Sequence, residues 1–212
     1  MGWDLSYTST SPPLKLLHSN LYDTKLPKAK ALVGSPLASF TGSISINTKQ
    51  YSIENWIGSE NHNWGSQHTN EYAWGQVAGF DNDPTAFLEC ATARIKIGPF
   101  KSPWMTTLVL RYDDKEIAIN SILRAIKAKG KYQLYHWEFE TTDNEIRIKG
   151  VIKAEKEDFA TLLYYNPPSG HSTCLNSKIA SCNIQLFKRE KLIREFTTTN
   201  KAAFEILSPE VK

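Results

Sequence analysis

"YQLYHWEFETTDNEIRIKGVIKAE", Tyr132–Glu155, is the stretch that decides the fold class. Its opening run, Tyr132–Glu140, sets Gln133, Tyr135, Trp137 and Phe139 on one face of a strand. Tyr132, Leu134, His136 and Glu138 fall on the other. The closing run, Glu145–Glu155, alternates again. Between them "TTDNE" concentrates turn formers, so the whole reads as a β-hairpin.

The same period of two extends outward in both directions. "SFTGSISI" (Ser39–Ile46) alternates, and "ATARIKIG" (Ala91–Gly98) sets Ala91, Ala93, Ile95 and Ile97 on one face. "WMTTLVLRY", "FATLLYY" and "ASCNIQLFKRE" have the β-branched and aromatic composition of half-buried strands. Turn signals separate these runs at short intervals: "DNDP", "GPFKSP", "YDDKE", "NPPSG". "INSILRAIKAKG" (Ile119–Gly130) spaces Ile119, Ile122, Leu123 and Ile126 helically before a glycine, so at most one short helix is expected, with a strand and loop as the alternative. The class is therefore all-β, an antiparallel sandwich or barrel, and a barrel is favoured because closure removes exposed edges. Residues 1–34 are Pro-, Lys- and Ser-rich with weak periodicity, and His18 within them is expected at the surface. They read as an N-terminal extension, with the barrel domain over 35–212.

Composition narrows the function. The chain has 212 residues, 41% hydrophobic and 22% charged, enough for one large β domain. The net charge of +3 is dispersed, and the densest basic run, "RAIKAKGK" (Arg124–Lys131), lacks aromatic company, so nucleic acid is not expected. Three cysteines, Cys90, Cys174 and Cys182, form no CxxC pair, which fits free thiols in a reducing compartment. The N-terminus has no signal-peptide pattern, and Trp3 spoils the myristoylation pattern of "MGWDLS". No window is apolar enough for a membrane helix, so a cytoplasmic location is expected.

The densest chemistry lies in "WIGSENHNWGSQHTNEYAWGQ" (Trp56–Gln76), which holds three tryptophans and two histidines. His62 and His68 are six apart, which suits neither a helical nor a strand pair of metal ligands. No GxSxG elbow and no phosphate loop occur; "SGHSTC" (Ser169–Cys174) reads first as a surface turn. General acid–base chemistry needs less: one or two ionisable groups on an apolar wall that tunes their pKa. His62, His68 and Glu71 supply such groups, and Trp64, Tyr72 and Trp74 supply a wall. On a strand from Glu71, Tyr72, Trp74 and Gln76 share a face and would line a barrel interior. The alternative is an aromatic core with polar residues at its rim. No cofactor motif is present, and proton transfer requires none.

"WIGSENHNWGSQHTNEYAWGQVAGF" (Trp56–Phe80) also resembles the signature block of the lipocalin-like superfamily that holds tocopherol cyclases, carotenoid 1,2-hydratases and AttH-type proteins. The resemblance rests on Gly58, His62, Asn63, Trp64, Gly65, Trp74 and Gln76, and extends more weakly over residues 35–190. It implies a calycin-like antiparallel barrel and an enzyme that protonates, hydrates or cyclises a hydrophobic polyene or isoprenoid. Relatives of similar shape act as pericyclic cyclases. Two features depart from the pattern. Asn63 stands where the cyclase branch often has Asp, and the chain has room for about one and a half of the usual two halves. Trp3–Tyr7 is then either the remnant of a preceding half or part of a shorter design, and a second copy in a homodimer would complete the pocket.

On this reading His62 or Glu71 donates or accepts the proton. Trp64, Tyr72 and Trp74 shape the cavity and stabilise positive charge. Asn63 and Gln76 orient the substrate, with His68 at the same wall and Glu89, mid-strand in "AFLECATAR", as a second carboxylate if it points inward; otherwise Glu89 faces solvent. The competing reading is a non-catalytic carrier of an apolar molecule. A third, a purely structural module, would show a barrel filled solid.

Overall fold

The structure, a computed structural model, describes residues 1–166 and 170–208. The expected turn "NPPSG" lies largely outside the described residues. In chain order the strands are β1 (Gly2–Thr8), β2 (Ala29–Ile46), β3 (Lys49–Gly65), β4 (Glu71–Ala78), β5 (Phe87–Arg94), β6 (Lys96–Ile97), β7 (Phe100–Lys101), β8 (Met105–Tyr112), β9 (Lys115–Ile119), β10 (Lys129–Gln133), β11 (His136–Asp143), β12 (Ile146–Lys153), β13 (Ala160–Asn166), β14 (Gly170–Lys188) and β15 (Lys191–Leu207). One α-helix, α1 (Ile122–Lys127), sits between β9 and β10. The all-β class and the single short helix agree with expectation. No helix among the described residues is long and apolar enough to cross a membrane.

A ten-stranded antiparallel sheet runs β10-β11-β12-β14-β15-β4-β5-β8-β9, with β13 branching from β14. It curls without closing. Among the described residues the edge strands β10 and β9 are not hydrogen-bonded to each other, so the ladder found is an open antiparallel one. The curl still folds β10 back onto the sheet: a Cβ added to Gly130 would collide with the hydroxyls of Thr92 and Thr106 on β5 and β8. Only glycine allows that approach.

The concave face carries the main core. Trp137, Phe139, Ile152, Ile184, Leu108 and Phe204 fill it, all essentially buried. Trp137 spans the interior, donating from Nε1 to Thr92 Oγ1 at 3.0 Å. Its ring lies 3.1 Å from where a Cβ on Gly75 would stand. This burial is the main stabilising term; truncating a side chain like Trp137 costs about 3–5 kcal/mol.

A second, three-stranded sheet, β1-β2-β3, crosses the convex face. Leu14, Leu16 and Val33 pack there against Phe87 and Val109 of β5 and β8. Leu14 and Leu16 are buried, and the boundary expected at 34/35 falls inside β2. The Pro- and Lys-rich lead-in thus contributes apolar residues to a real interface between sheets.

Local turns follow their residues. "YDDKE" joins β8 to β9 through Asp113 and Asp114, both at positive φ, and "TTDNE" joins β11 to β12 at Asn144. The run Tyr132–Glu140, expected as one strand, is two. Tyr135 adopts φ 71°, and Gln133 pairs with His136 across a tight turn. Trp137 and Phe139 still share the buried face, because the turn leaves the downstream alternation intact. "ATARIKIG" likewise breaks after Arg94. Helix α1 buries Ala125 and leaves Ile122, Leu123 and Ile126 exposed, so its apolar stripe does not face the core.

Candidate functional site

Strand β4 divides its side chains cleanly. Ala73 and Val77 point to the concave core. Tyr72, Trp74 and Gln76 do share a face, but it is the convex one, not the barrel interior expected from the alternation. Trp74 packs with Tyr72, Cys174 and Leu207, away from the main core. Alternation fixes which residues share a side; only the curl decides which side is inside.

On neighbouring β5, Glu89 stands in register with Gln76 on this convex face. It faces neither the interior nor solvent. The small sheet covers it, and the residue is 2% exposed. Trp74 Nε1 donates to Glu89 Oε1 at 2.7 Å, and Gln76 Nε2 donates to Oε2 at 2.7 Å. Gln76 is tied in turn to β3: its Nε2 donates to Asn61 Oδ1 at 2.8 Å, and Ser59 Oγ donates to its Oε1 at 2.5 Å. Among the described residues strand β3 is hydrogen-bonded through its backbone only to β2, so these side-chain bonds tie the two sheets together at a seam. Burial pushes the Glu89 carboxyl up to about 7, although the bonds from Trp74 and Gln76 favour the charged form. A carboxyl poised near neutrality and oriented by two donors has the properties of a general acid or base.

Beside the seam, Trp74 and its cross-strand neighbour Glu205 continue the convex face. Glu205 accepts from Asn176 Nδ2 at 2.5 Å and from Lys178 Nζ at 3.1 Å, and Lys178 Nζ lies 5.3 Å above the Trp74 ring. Tyr72 and Tyr164 flank Cys174 here, and burial raises all three pKa values. His68 completes the wall, its ring 5.6 Å from both Tyr72 and Tyr164.

Glu71 occupies a different place. It starts β4 at the end of the curled sheet, beside a cavity of about 400 Å³. Its carboxylate is bonded to Arg94, through Nε at 2.7 Å and also through Nη2, and to Lys101 Nζ at 2.5 Å. Burial pushes its pKa up, but the hydrogen bonds and charges of Lys101 and Arg94 outweigh that and hold it below the usual value. His62, Asn63 and Trp64 are on the exposed part of β3, where His62 stacks on Trp64 at 5.3 Å. The structure therefore brings together Trp74, Gln76 and Glu89, sets Tyr72 and His68 alongside, and separates Glu71 from them.

Sequence reading missed Ser59, Asn61, Glu205, Arg94 and Lys101. Ser59 and Asn61 carry a signal, lying two apart in the quoted block; Arg94 and Glu205 become visible only through cross-strand register, and Lys101 only through the separate β6–β7 hairpin. The cysteines are free and buried. Cys174 and Cys182 fall in different clusters, because register shifts between Ser177 and Cys182 move the strand's faces.

No family model matches the sequence, and no curated protein matches it. Among solved structures, the chain is similar to the crystal structure of kievitone hydratase from Nectria haematococca, with a TM-score of 0.59 at 10% identity. The match covers 98% of this chain and 61% of that one. At that identity the likeness is one of fold: an all-β arrangement shared over nearly every residue here, and a chain spanning about three fifths of its neighbour's length.

Proposed function

We propose that the chain is a cofactor-independent enzyme of the hydratase, cyclase or isomerase type, in the lipocalin-like superfamily, which protonates a carbon–carbon double bond of a hydrophobic polyene, isoprenoid or other natural product. The observation that carries this reading is Glu89, a buried carboxyl with a pKa near 7 held by Trp74 and Gln76. In its neutral form Glu89 gives its proton to one alkene carbon. The cation formed at the other carbon is stabilised by the face of Trp74, with Tyr72 as further wall. Water, or a nucleophile within the substrate, adds to the cation and returns a proton to the Glu89 carboxylate. Substrate reaches Glu89 by parting the seam at Ser59 and Asn61, with His68 beside Tyr72 on the same wall. Glu71, kept ionised by two cations, serves the architecture of the sheet end rather than donating the proton. The fold likeness to a hydratase supports the enzyme class. The carrier reading calls for a uniformly apolar wall, whereas the group held at this seam is the titratable carboxyl of Glu89.

The test is incubation with kievitone and a panel of prenylated and polyene compounds in ¹⁸O-labelled water, read by mass spectrometry. Gain of one labelled water marks hydration; an unchanged mass with altered retention marks cyclisation or isomerisation. Glu89→Gln is expected to lower turnover by about a hundredfold or more. Turnover by Glu89→Gln at the wild-type rate sinks the assignment.

A further inference from the structure

The cavity at the end of the curled sheet has a charge pattern that the Glu89 chemistry does not use. Glu71, Arg94, Lys96, Lys101, His171 and Thr173 line it. Glu71 is the one carboxylate among the lining residues, and its side chain is only 7% exposed. Arg94 and Lys101 both bind it, yet their side chains remain 29% and 50% exposed. One negative charge thus fixes two positive ones whose outer surfaces still face the cavity. The Arg94 guanidinium is also held from behind, 4.6 Å from the centre of the Trp104 ring. Lys96 adds a third cation, with no ion-pair partner among the described residues. Arginine gripped on two sides loses little freedom when it binds a further oxygen, and its planar fork suits carboxylate or phosphate. Thr173 supplies a hydroxyl donor at the same wall. The volume of about 400 Å³ is that of a small-molecule site.

We propose that this cavity binds a small organic oxyanion, carboxylate or phosphate, with Arg94, Lys96 and Lys101 as the charged contacts. The site is separate from the seam at Glu89, and its occupancy does not depend on the reaction proposed there.

The test is isothermal titration of the whole chain with inorganic phosphate and, separately, with succinate, each at ionic strength held constant with sodium chloride. Saturable single-site binding of either probe, weakening as salt rises, is the expected result. Phosphate alone, or succinate alone, identifies the oxyanion source. Lys96→Met is expected to weaken binding about fivefold, since it removes one charged contact, while Lys188→Met, on the distant β14–β15 hairpin, leaves it unchanged. The Lys96 side chain makes no ion pair among the described residues, so its variant is expected to fold as the parent does; a matching thermal midpoint checks this. Absence of saturable heat with both probes overturns the proposal, as does binding that Lys96→Met and Lys101→Met leave intact. Because the readout is heat of binding, failure here leaves the Glu89 reading standing, and loss of turnover in Glu89→Gln leaves this one standing.

Discussion

Glu71 and Glu89 lie on adjacent antiparallel strands, and both are buried, at 6% and 2% exposure. Their carboxyls shift in opposite directions, Glu71 below its ordinary value and Glu89 up to about 7. The cause is the set of groups around each carboxyl: Lys101 and Arg94 bond to Glu71, while Trp74 and Gln76 bond to Glu89. Glu71 stands opposite Arg94, while Glu89 stands opposite Gln76. A cation compensates the desolvated charge; an amide donor does so only in part. Burial alone therefore does not determine whether a carboxyl stays charged at neutral pH. The bonded neighbours do: two cations hold one glutamate ionised, while an indole and an amide N–H leave the other's pKa near 7.

The sharpest way to break this comparison is the pH dependence of stability. Glu89 has a folded pKa above its unfolded one, so between about pH 4.5 and 7 the folded state holds a proton that the unfolded state has released. Its contribution is fully present below that window and is lost as pH rises through it. The wild type is expected to lose about 2.5 kcal/mol more than Glu89→Gln between pH 5 and pH 8, by urea unfolding at each pH. Glutamine also sets an amide N–H against Trp74 or Gln76, but that offset is the same at every pH. Parallel curves for the two proteins would mean that Glu89 is not neutralised by its site.

Glu71 gives the mirror image at smaller amplitude. Its depressed pKa contributes stability above the unfolded value, near pH 4.5, which disappears as pH falls through the folded value. Glu71→Gln at pH 7 leaves Arg94 and Lys101 without their anion. Because those cations are partly exposed, the expected cost is about 2 kcal/mol rather than that of a fully buried pair. The variant's stability should also vary less than that of wild type between pH 5 and pH 3. A Glu71→Gln protein as stable as its parent at pH 7 would show that the ion pairs contribute nothing net.

The sequence made part of this legible. Residues that share a strand face were readable wherever alternation was unbroken: Tyr72, Trp74 and Gln76 are together, as are Trp137 and Phe139. The turns at "YDDKE" and "TTDNE" were readable because Asp and Asn tolerate positive φ. What alternation does not carry is the identity of the covered side. Glu89 was weighed as interior or solvent-facing, and it is neither, because a second sheet lies over the convex face. Only part of that sheet is legible: Ser39–Ile46 alternates, while β1 and the start of β2 lie in a lead-in whose prolines and lysines mask them. Tyr135 shows the converse failure: an aromatic at positive φ ends a strand in a run whose pattern continues past it.

The smallest predicted effect refines the comparison most closely. Trp74 Nε1 donates to Glu89 Oε1 at 2.7 Å, and that bond lowers the pKa that burial raises. Trp74→Phe keeps an aromatic ring beside Lys178 and Tyr72 but removes the donor. A hydrogen bond to a charged acceptor contributes roughly 1 kcal/mol more than one to a neutral acceptor. The variant should therefore be destabilised by about 1 kcal/mol more at pH 8, where Glu89 is ionised, than at pH 5. The midpoint of the Glu89 titration, followed by the infrared carbonyl stretch that Glu89→Gln abolishes, should move upward. A downward movement would mean that the indole stabilises the neutral acid, and the proton would then be held at the seam by Trp74 rather than released from it.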